Sequence, residues 1–311
     1  MSYSITTAPG VIGAISLSPW TNFDKVWTAI IGYPASEFQF VRGKTPLSTL
    51  GEAVSMVLVY MILVMGGRQI MRDQPAFKLN TLFKIHNFIL TLISGCLLVL
   101  FIEQIVPSLW QHGLFKNICS SPGWSQPLVT LYYVNYLIKF YELLDTIFLV
   151  LKKKPLTFLH CYHHPATAVL CWTQLAGSTP ISWLPITLNL FVHVVMYWYY
   201  FQSARGVRVA WKEWITRFQI AQFVIDLGFV YYGTYSYIVD MRWPHLPHIG
   251  TCDGAPWAAI TGDLILLSYL ILFISFYLAT YRKQSSRKAA AIGIERKIDS
   301  MNATPAKSVR I

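Results

Sequence analysis

The sequence predicts an all-α membrane protein with seven transmembrane helices, and three observations support this. Of the 311 residues, 54% are hydrophobic and 13% are charged, with 11 Trp, 18 Tyr and 18 Phe. The mean hydropathy is +0.45. Seven stretches are apolar and close to the ~20 residues that a helix needs to cross the hydrocarbon core. This composition excludes an ordinary soluble domain and is typical of a polytopic membrane protein.

The apolar stretches set the boundaries of the predicted helices. Short loops separate them, and the abundant aromatic residues suit the interfacial belts of membrane helices. The predicted spans cover residues 51–67, 85–106, 127–151, 156–176, 184–203, 214–239 and 259–281. The domain organisation is therefore an N-terminal segment of residues 1–50, a seven-helix membrane domain of residues 51–281 and a basic tail of residues 282–311.

The basic residues of the loops predict the orientation. Of the 25 Lys and Arg, 19 lie in or beside the loops that follow the first, third and fifth spans, or in the tail. By the positive-inside rule this side is cytosolic, which makes the C-terminus cytosolic and the N-terminus luminal, although Arg42 and Lys44 count against it. The same distribution argues against nucleic acid as the reason for the net charge of +11. No cleaved signal peptide is visible, so the first span is expected to act as the targeting signal.

Two of the five cysteines, Cys119 and Cys252, lie in different predicted luminal loops. In an oxidising lumen they are natural disulfide partners. The alternative is a pair of free thiols.

Polar side chains interrupt four of the predicted spans at a similar depth. Ionisable groups at the centre of a membrane helix cost ~2.5–3.5 kcal/mol each on insertion scales, so their presence suggests a function. At ~1.5 Å of rise per residue, all of these groups fall in the cytosolic half of the membrane. They are Lys139, Glu142 and Asp145 of KFYELLDT, His160, His163 and His164 of HCYHH, Asn189 and His193, and Thr216, Gln219 and Gln222.

Each polar group also has a purely structural interpretation. Lys139 and Glu142, spaced i, i+3, can simply neutralise each other. His86 is interpreted as an ordinary helix-end residue, and Asp226 as the partner of a neighbouring helix. The amides can hold helices together through hydrogen bonds, namely Asn189, Gln219 and Gln222.

The histidines first suggest a metal site. Membrane oxygenases with two irons use about eight histidines in three boxes, whereas this chain has one box and three luminal histidines among its eight. The number of histidines is sufficient for a single zinc ion, which needs three or four protein ligands. We predict no metal.

Without a metal, a neutral imidazole can act as a nucleophile on a thioester, with Asp145 or a second histidine orienting the ring. Amide groups such as Asn189, Gln219 and Gln222 can stabilise the oxyanion of acyl transfer. Cys161 and Cys171 are the rival nucleophiles. The basic loops suit a polyphosphorylated carrier, with candidate contacts at Lys154, Arg208, Lys212 and Arg217.

Four ordered motifs, KFYELLDT, FLHCYHH, NLFVHVVMYWYY and TRFQIAQ, resemble the signature of the ELO fatty acid elongases, and the fungal type most of all. The resemblance covers roughly residues 40–280. It implies seven helices, six of them forming a barrel around an acyl tunnel. It also implies condensation of acyl-CoA with malonyl-CoA to 3-ketoacyl-CoA, CO2 and CoA in the endoplasmic reticulum membrane.

The resemblance also implies roles for particular residues. His163 matches the nucleophile that forms an acyl-imidazole, and His193 the second histidine at the reacting carbonyl. His160 and His164 support base chemistry, with Asn189 and Gln219 at motif polar positions. The resemblance implies no cofactor. It does imply homodimers and association with the other enzymes of the elongation cycle. Lys139, Glu142 and Gln222 are candidate substrate contacts.

Two features depart from the family pattern. The chain ends AKSVRI where many members carry a dilysine retrieval signal, which questions that route of retention. Pro165 follows the histidine box directly and is expected to kink the helix.

Two further functions compete with this interpretation. A metal-dependent membrane oxygenase would contain stoichiometric iron and require oxygen and an electron donor. A seven-helix receptor or transporter would use the polar groups as a ligand or proton path, and would form no product from malonyl-CoA.

Overall fold

The computed structural model describes residues 16–282, and every regular element in that range is helical. Apart from short 3-10 turns and a π-helical end at Leu278–Arg282, there are nine helices among these residues. They are α1 Pro19–Ile31, α2 Leu50–Ile70, α3 Asn80–Cys119, α4 Gln126–Glu142, α5 Leu144–Leu151, α6 Phe158–Ala176, α7 Trp183–Ala204, α8 Lys212–Arg242 and α9 Pro256–Tyr277. Of the predicted tail, all but Arg282 lies outside the described residues.

Each predicted span coincides with helix in the structure. Within residues 16–282, four segments are long and apolar enough to cross a membrane: 50–70, 80–119, 180–204 and 256–281. The other predicted spans fall on α4 with α5, on α6 and on α8, which carry most of the polar groups described above. The sequence shows why α2 begins where it does, because Thr49 and Glu52 form a capping box at its start.

The third predicted span is not one uniform helix. At Leu143 the hydrogen bonding tightens to i→i+3, with Leu143 N donating to Phe140 O at 3.2 Å and Thr146 N to Leu143 O at 3.2 Å. A short tight turn of this kind inside a helix often marks a functional site. Here it changes the direction of the side chains between Glu142 and Asp145.

Part of the N-terminal segment is ordered as α1. Ser18 Oγ donates to Glu103 Oε1 of α3 at 2.6 Å, and Trp20 N donates to Glu103 Oε2 at 2.6 Å. Trp20 and Trp27 pack against the main hydrophobic core. These contacts fix α1 to the side of α3, which the mixed composition of residues 1–50 did not predict.

The helices pack side by side in a defined order. The contacting pairs include α3 with α7, α7 with α8, α8 with α9, α9 with α6, α6 with α4 and α4 with α3, whereas α2 packs on α5 and α6. Large buried side chains such as Tyr132, Tyr136, Tyr197 and Tyr269 fill the space between them.

The two ends of the bundle have different chemistry. At the basic end, Lys153 Nζ donates to Arg72 O at 2.9 Å and to Gln74 O at 3.0 Å, which ties two loops together. At the other end, the disulfide end, Cys119 is bonded to Cys252, and Asp253 N donates to Cys119 O at 2.8 Å.

Candidate active site

The histidine box lies in the first two turns of α6. Thr157 caps the helix, its hydroxyl accepting from His160 N at 3.3 Å. The helix continues through Pro165 to Ala176. At 3.6 residues per turn, His160, His163 and His164 project from adjoining positions on one side.

The three rings of the box are close together. The ring centres of His160 and His164 are 4.5 Å apart, and those of His163 and His164 are 5.5 Å apart. The His163 ring also packs against Tyr269 of α9, at 4.7 Å. The backbone carbonyl oxygen of His163 accepts hydrogen bonds from Thr167 Oγ1 at 2.7 Å and from Tyr269 OH at 3.2 Å. Contacts from α6 and α9 therefore hold His163 in place.

A buried network joins the ion pair of α4 to His193 of α7. Lys139 Nζ donates to Glu142 Oε1 at 2.9 Å and to Asn189 Oδ1 at 2.9 Å. Glu142 Oε1 lies 3.3 Å from His193 Nδ1, and Asn189 Nδ2 lies 3.2 Å from His193 Nε2. Lys139 and Glu142 do neutralise each other, and the Glu142 carboxylate lies beside His193, whose Nδ1 makes no hydrogen bond within the described residues.

Asp145 belongs to a second network. Its carboxylate contacts His86 Nε2 at 2.6 Å and accepts from Tyr197 OH at 2.8 Å. His164 Nε2 is 3.9 Å away, beyond hydrogen-bond distance. The interpretation of His86 as an ordinary helix-end residue missed this contact, which no spacing in the sequence reveals.

The polar groups surround an outer cavity of about 250 Å³ near the basic end. Its wall combines α3, α5, α6, α7, α8 and the end of α9. The predicted residues that line it are Asp145, His160, His163, His164, Asn189, His193, Lys212, Thr216, Gln219 and Gln222. The depth argument from the sequence therefore agrees with the position of these side chains.

Two smaller cavities continue toward the disulfide end. An inner cavity of about 80 Å³ shares His163, Asn189, Gln222 and Phe223 with the outer cavity. An end cavity of about 150 Å³ shares Gln174, Ile181 and Val230 with the inner one. The three cavities thus form a row, with His163 at the first junction.

Several predicted residues lie elsewhere. In the described part of the chain, Lys154 and Arg208 are exposed outside the cavity linings, and Glu142 lies behind His193. Arg217 points outward and donates to Glu213 Oε1 at 2.7 Å. Of the four basic candidates, Lys212 alone lines the outer cavity among the residues described.

Other side chains differ from their predicted contacts. Asp226 accepts from Gln222 of its own helix at 3.1 Å, so the prediction of a partner on a neighbouring helix is wrong. Gln219 Nε2 contacts Met196 Sδ at 3.6 Å. Cys171 lines the inner cavity. Tyr269 and Thr167 were missed because no polar pattern marks them.

No group of three His, Cys, Asp or Glu side chains that could hold a metal ion is found within residues 16–282. The clustered histidines are spaced for contact with one another and with aromatic rings rather than with a common centre.

Comparison with known proteins identifies the family. Residues 45–289 match the family described as ELO: GNS1/SUR4 family. "Putative fatty acid elongase 1" of Schizosaccharomyces pombe is 49% identical over 280 residues, which is 90% of this chain and 84% of that protein. "Fatty acid elongase A" of Dictyostelium discoideum is 36% identical, over 81% of this chain and 90% of that protein. "Very long chain fatty acid elongase 2" of Rattus norvegicus is 30% identical, over 80% and 86% respectively. The chain, in which His163 lies where two neighbouring cavities share their lining, belongs to the ELO (GNS1/SUR4) family.

Proposed function

We propose that this protein is a 3-ketoacyl-CoA synthase of fatty acid elongation. It would condense a long acyl-CoA with malonyl-CoA and release CoA and CO2. Family membership and relatives named fatty acid elongases support the substrate class. The observation that carries the proposal is the position of His163 at the junction of the outer and inner cavities.

The row of cavities suits an acyl thioester. The acyl chain would enter the inner cavity, between apolar side chains such as Leu170 and Leu266. Its thioester carbonyl would then lie at the junction beside His163. The CoA portion would occupy the outer cavity, where Lys212 can approach a phosphate. The closed order of helix pairs supports the view that α3, α4 with α5, α6, α7, α8 and α9 form a six-helix barrel with α2 outside.

In the first step, an unprotonated ring nitrogen of His163 would attack the thioester carbonyl. The C–N bond forms, the C–S bond breaks, and the other ring nitrogen gives its proton to the departing CoA thiolate. The product is an acyl-imidazole, which is itself a reactive acyl donor. The packing of His163 against Tyr269 favours one ring orientation for this attack.

In the second step, malonyl-CoA would lose CO2 and the remaining carbanion would attack the acyl-imidazole. A C–C bond forms while the C–N bond to His163 breaks, and the departing imidazolate takes a proton from solvent, which restores the neutral ring. His193 lines the outer cavity, and its Nε2 would exchange the 3.2 Å contact with Asn189 Nδ2 for a hydrogen bond to the carbonyl oxygen. Gln219 and Gln222, which line the same cavity, are further candidates for that role.

We further propose seven spans in the endoplasmic reticulum membrane, with the basic end cytosolic and the disulfide end luminal. The separation of the basic loops from the Cys119–Cys252 bond supports this orientation. The 3-keto product must be reduced, dehydrated and reduced again, so enzymes of those classes are expected neighbours. Labelling of single cysteines with an impermeant reagent in sealed microsomes tests the orientation.

The decisive experiment uses purified protein in nanodiscs. With a long acyl-CoA and labelled malonyl-CoA it should form 3-ketoacyl-CoA, and His163→Ala should abolish the product. With acyl-CoA alone, peptide mass spectrometry should find the acyl group on His163. Cys161→Ser and Cys171→Ser are matched controls that should keep the adduct. An adduct on Cys171, or an active His163→Ala variant, would contradict the mechanism.

A further inference from the structure

The inner cavity has an unusual wall for an apolar acyl chain. Two of its side chains, Asp226 of α8 and Asn135 of α4, are 0% and 1% exposed. Within the described residues, Asp226 Oδ1 and Asn135 Oδ1 have no hydrogen-bond partner. A buried polar oxygen without a partner is destabilising and uncommon in folded proteins, so two such atoms in one cavity need an explanation.

Asp226 and Asn135 lie at a similar depth, about one helical turn closer to the disulfide end than the polar residues beside the histidine box. Asp226 is one helical turn beyond Gln222, and Asn135 is one turn before Lys139, on the side of the disulfide end. Gln222 lines the junction with His163 and Lys139 lines the inner cavity, so one further turn adds about 6 Å of depth. Both side chains belong to the lining of the inner cavity, past the position of the thioester.

The hydrogen bonds that these two side chains make leave one oxygen of each without a donor in the described part of the chain. Gln222 Nε2 donates to Asp226 Oδ2 at 3.1 Å, and Asn135 Nδ2 contacts Cys171 Sγ at 3.7 Å. The missing partner is a donor. A hydroxyl group satisfies this need, and it also fits a protonated Asp226 because it can accept as well as donate. A charged amine fits poorly, because it would lose its hydration among apolar side chains.

We propose that the inner cavity recognises an acyl chain that carries a mid-chain hydroxyl group, which donates its one proton to Asn135 Oδ1 and accepts from the protonated carboxyl of Asp226. This inference rests on the proposed function, since it takes the inner cavity as the acyl site. An ordered water is the competing occupant, because about 80 Å³ holds one or two water molecules.

The test compares saturated acyl-CoA donors of one chain length that carry a single hydroxyl at successive mid-chain carbons with their unsubstituted parent. For the wild-type protein, kcat/KM should reach a maximum at one hydroxyl position and equal or exceed that of the parent. Asp226→Leu should lower the ratio of hydroxylated to parent kcat/KM roughly tenfold, the effect of one lost hydrogen bond of about 1.4 kcal/mol. Asp226→Asn keeps a side chain that can donate or accept a hydrogen bond, so its ratio of hydroxylated to parent kcat/KM should stay close to that of the wild type.

Ser236→Ala is the matched control. Ser236 is on the same helix, is 0% exposed, and its hydroxyl is likewise without a partner in the described part of the chain. It lies outside the linings of the three cavities within residues 16–282, so its removal should leave the ratio unchanged.

The outcomes separate the two proposals. If the wild-type protein elongates the parent but discriminates against every hydroxylated donor, the cavity holds water and the inference is wrong while the proposed function stands. An unchanged ratio in Asp226→Leu has the same meaning. If neither the parent nor any hydroxylated donor is elongated, the proposed function itself fails.

Discussion

His86 Nε2 lies 2.6 Å from Asp145 Oδ1, and this contact joins α3 to α5 beside the outer cavity. Tyr197 of α7 donates to the other carboxylate oxygen at 2.8 Å. Both partners are buried, at 4% and 0% exposed. Asp145 thus connects three helices that form the wall behind the histidine box.

Removing the Asp145 carboxylate should destabilise the bundle. Asp145→Ala leaves His86 Nε2 and the Tyr197 hydroxyl without a partner, and each unpaired group should lower the free energy of unfolding by roughly 1–3 kcal/mol. Asp145→Asn keeps an acceptor oxygen and should lose less. In detergent, the melting temperature should fall in the order wild type, Asp145→Asn, Asp145→Ala. Tyr141→Phe removes only the 3.2 Å contact to His86 Nδ1, so it leaves one group unpaired instead of two and should melt above Asp145→Ala. Melting of both Asp145 variants at the wild-type temperature would show that the network contributes little.

The ion pair of Lys139 and Glu142 should behave as a unit. Both are 2% exposed, so a single replacement leaves one buried charge without its partner. Lys139→Met and Glu142→Gln should each lower the free energy of unfolding strongly. The loss in the double variant should be smaller than the sum of the two single losses by about 0.5–3 kcal/mol. Unfolding in denaturant measures the four members of the cycle. Strict additivity would mean that the pair is not coupled. Activity of the double variant should stay low, because His193 loses its contact with Glu142.

The Cys119–Cys252 bond closes a loop across 133 positions of the chain. In the chain-entropy view a loop of this length contributes up to about 5 kcal/mol. Cys119→Ser should migrate more slowly than wild type on a non-reducing gel and melt at a lower temperature, with the mobility difference lost under reduction. Cys96→Ser is the control, since Cys96 is an exposed free cysteine. Identical mobility of Cys119→Ser and wild type without reductant would contradict the bond.

Two basic residues at the start of α8 should differ in their effect on substrate binding. Lys212 lines the outer cavity, whereas Arg217 points outward toward Glu213 and Tyr277. Lys212→Ala should raise KM for acyl-CoA about two- to fivefold, the effect of an exposed charge contact, and the difference should shrink at high salt. Arg217→Ala should leave KM unchanged. The reverse pattern would place the carrier phosphates on the outer surface of α8.

The sequence predicted the positions of the helices better than their details. Hydropathy locates long apolar stretches, but it does not report the i→i+3 turn at Leu143 or the docking of α1 through Glu103. Depth along each helix follows from the fixed rise, so the histidines and amides were brought together correctly. Lateral neighbours depend on packing, which is why the contact of His86 with Asp145 was missed. Lys154 and Arg208 were also placed too near the site, because depth does not fix the direction of a loop side chain.

Product length should depend on the partition between the inner and end cavities. Ile181, Val230 and Gln174 line both of these cavities, so they lie where the end of an acyl chain would stop. Val230→Ala should join the two spaces and shift the products to longer chains, and Val230→Phe should shorten them by filling the passage. Leu227→Ala is the matched control, since Leu227 is a buried residue of α8 outside the cavity linings of the described chain. Mass spectrometry of products from a mixed set of acyl-CoA donors provides the measurement. An unchanged profile in both Val230 variants would show that the chain takes a different path from His163.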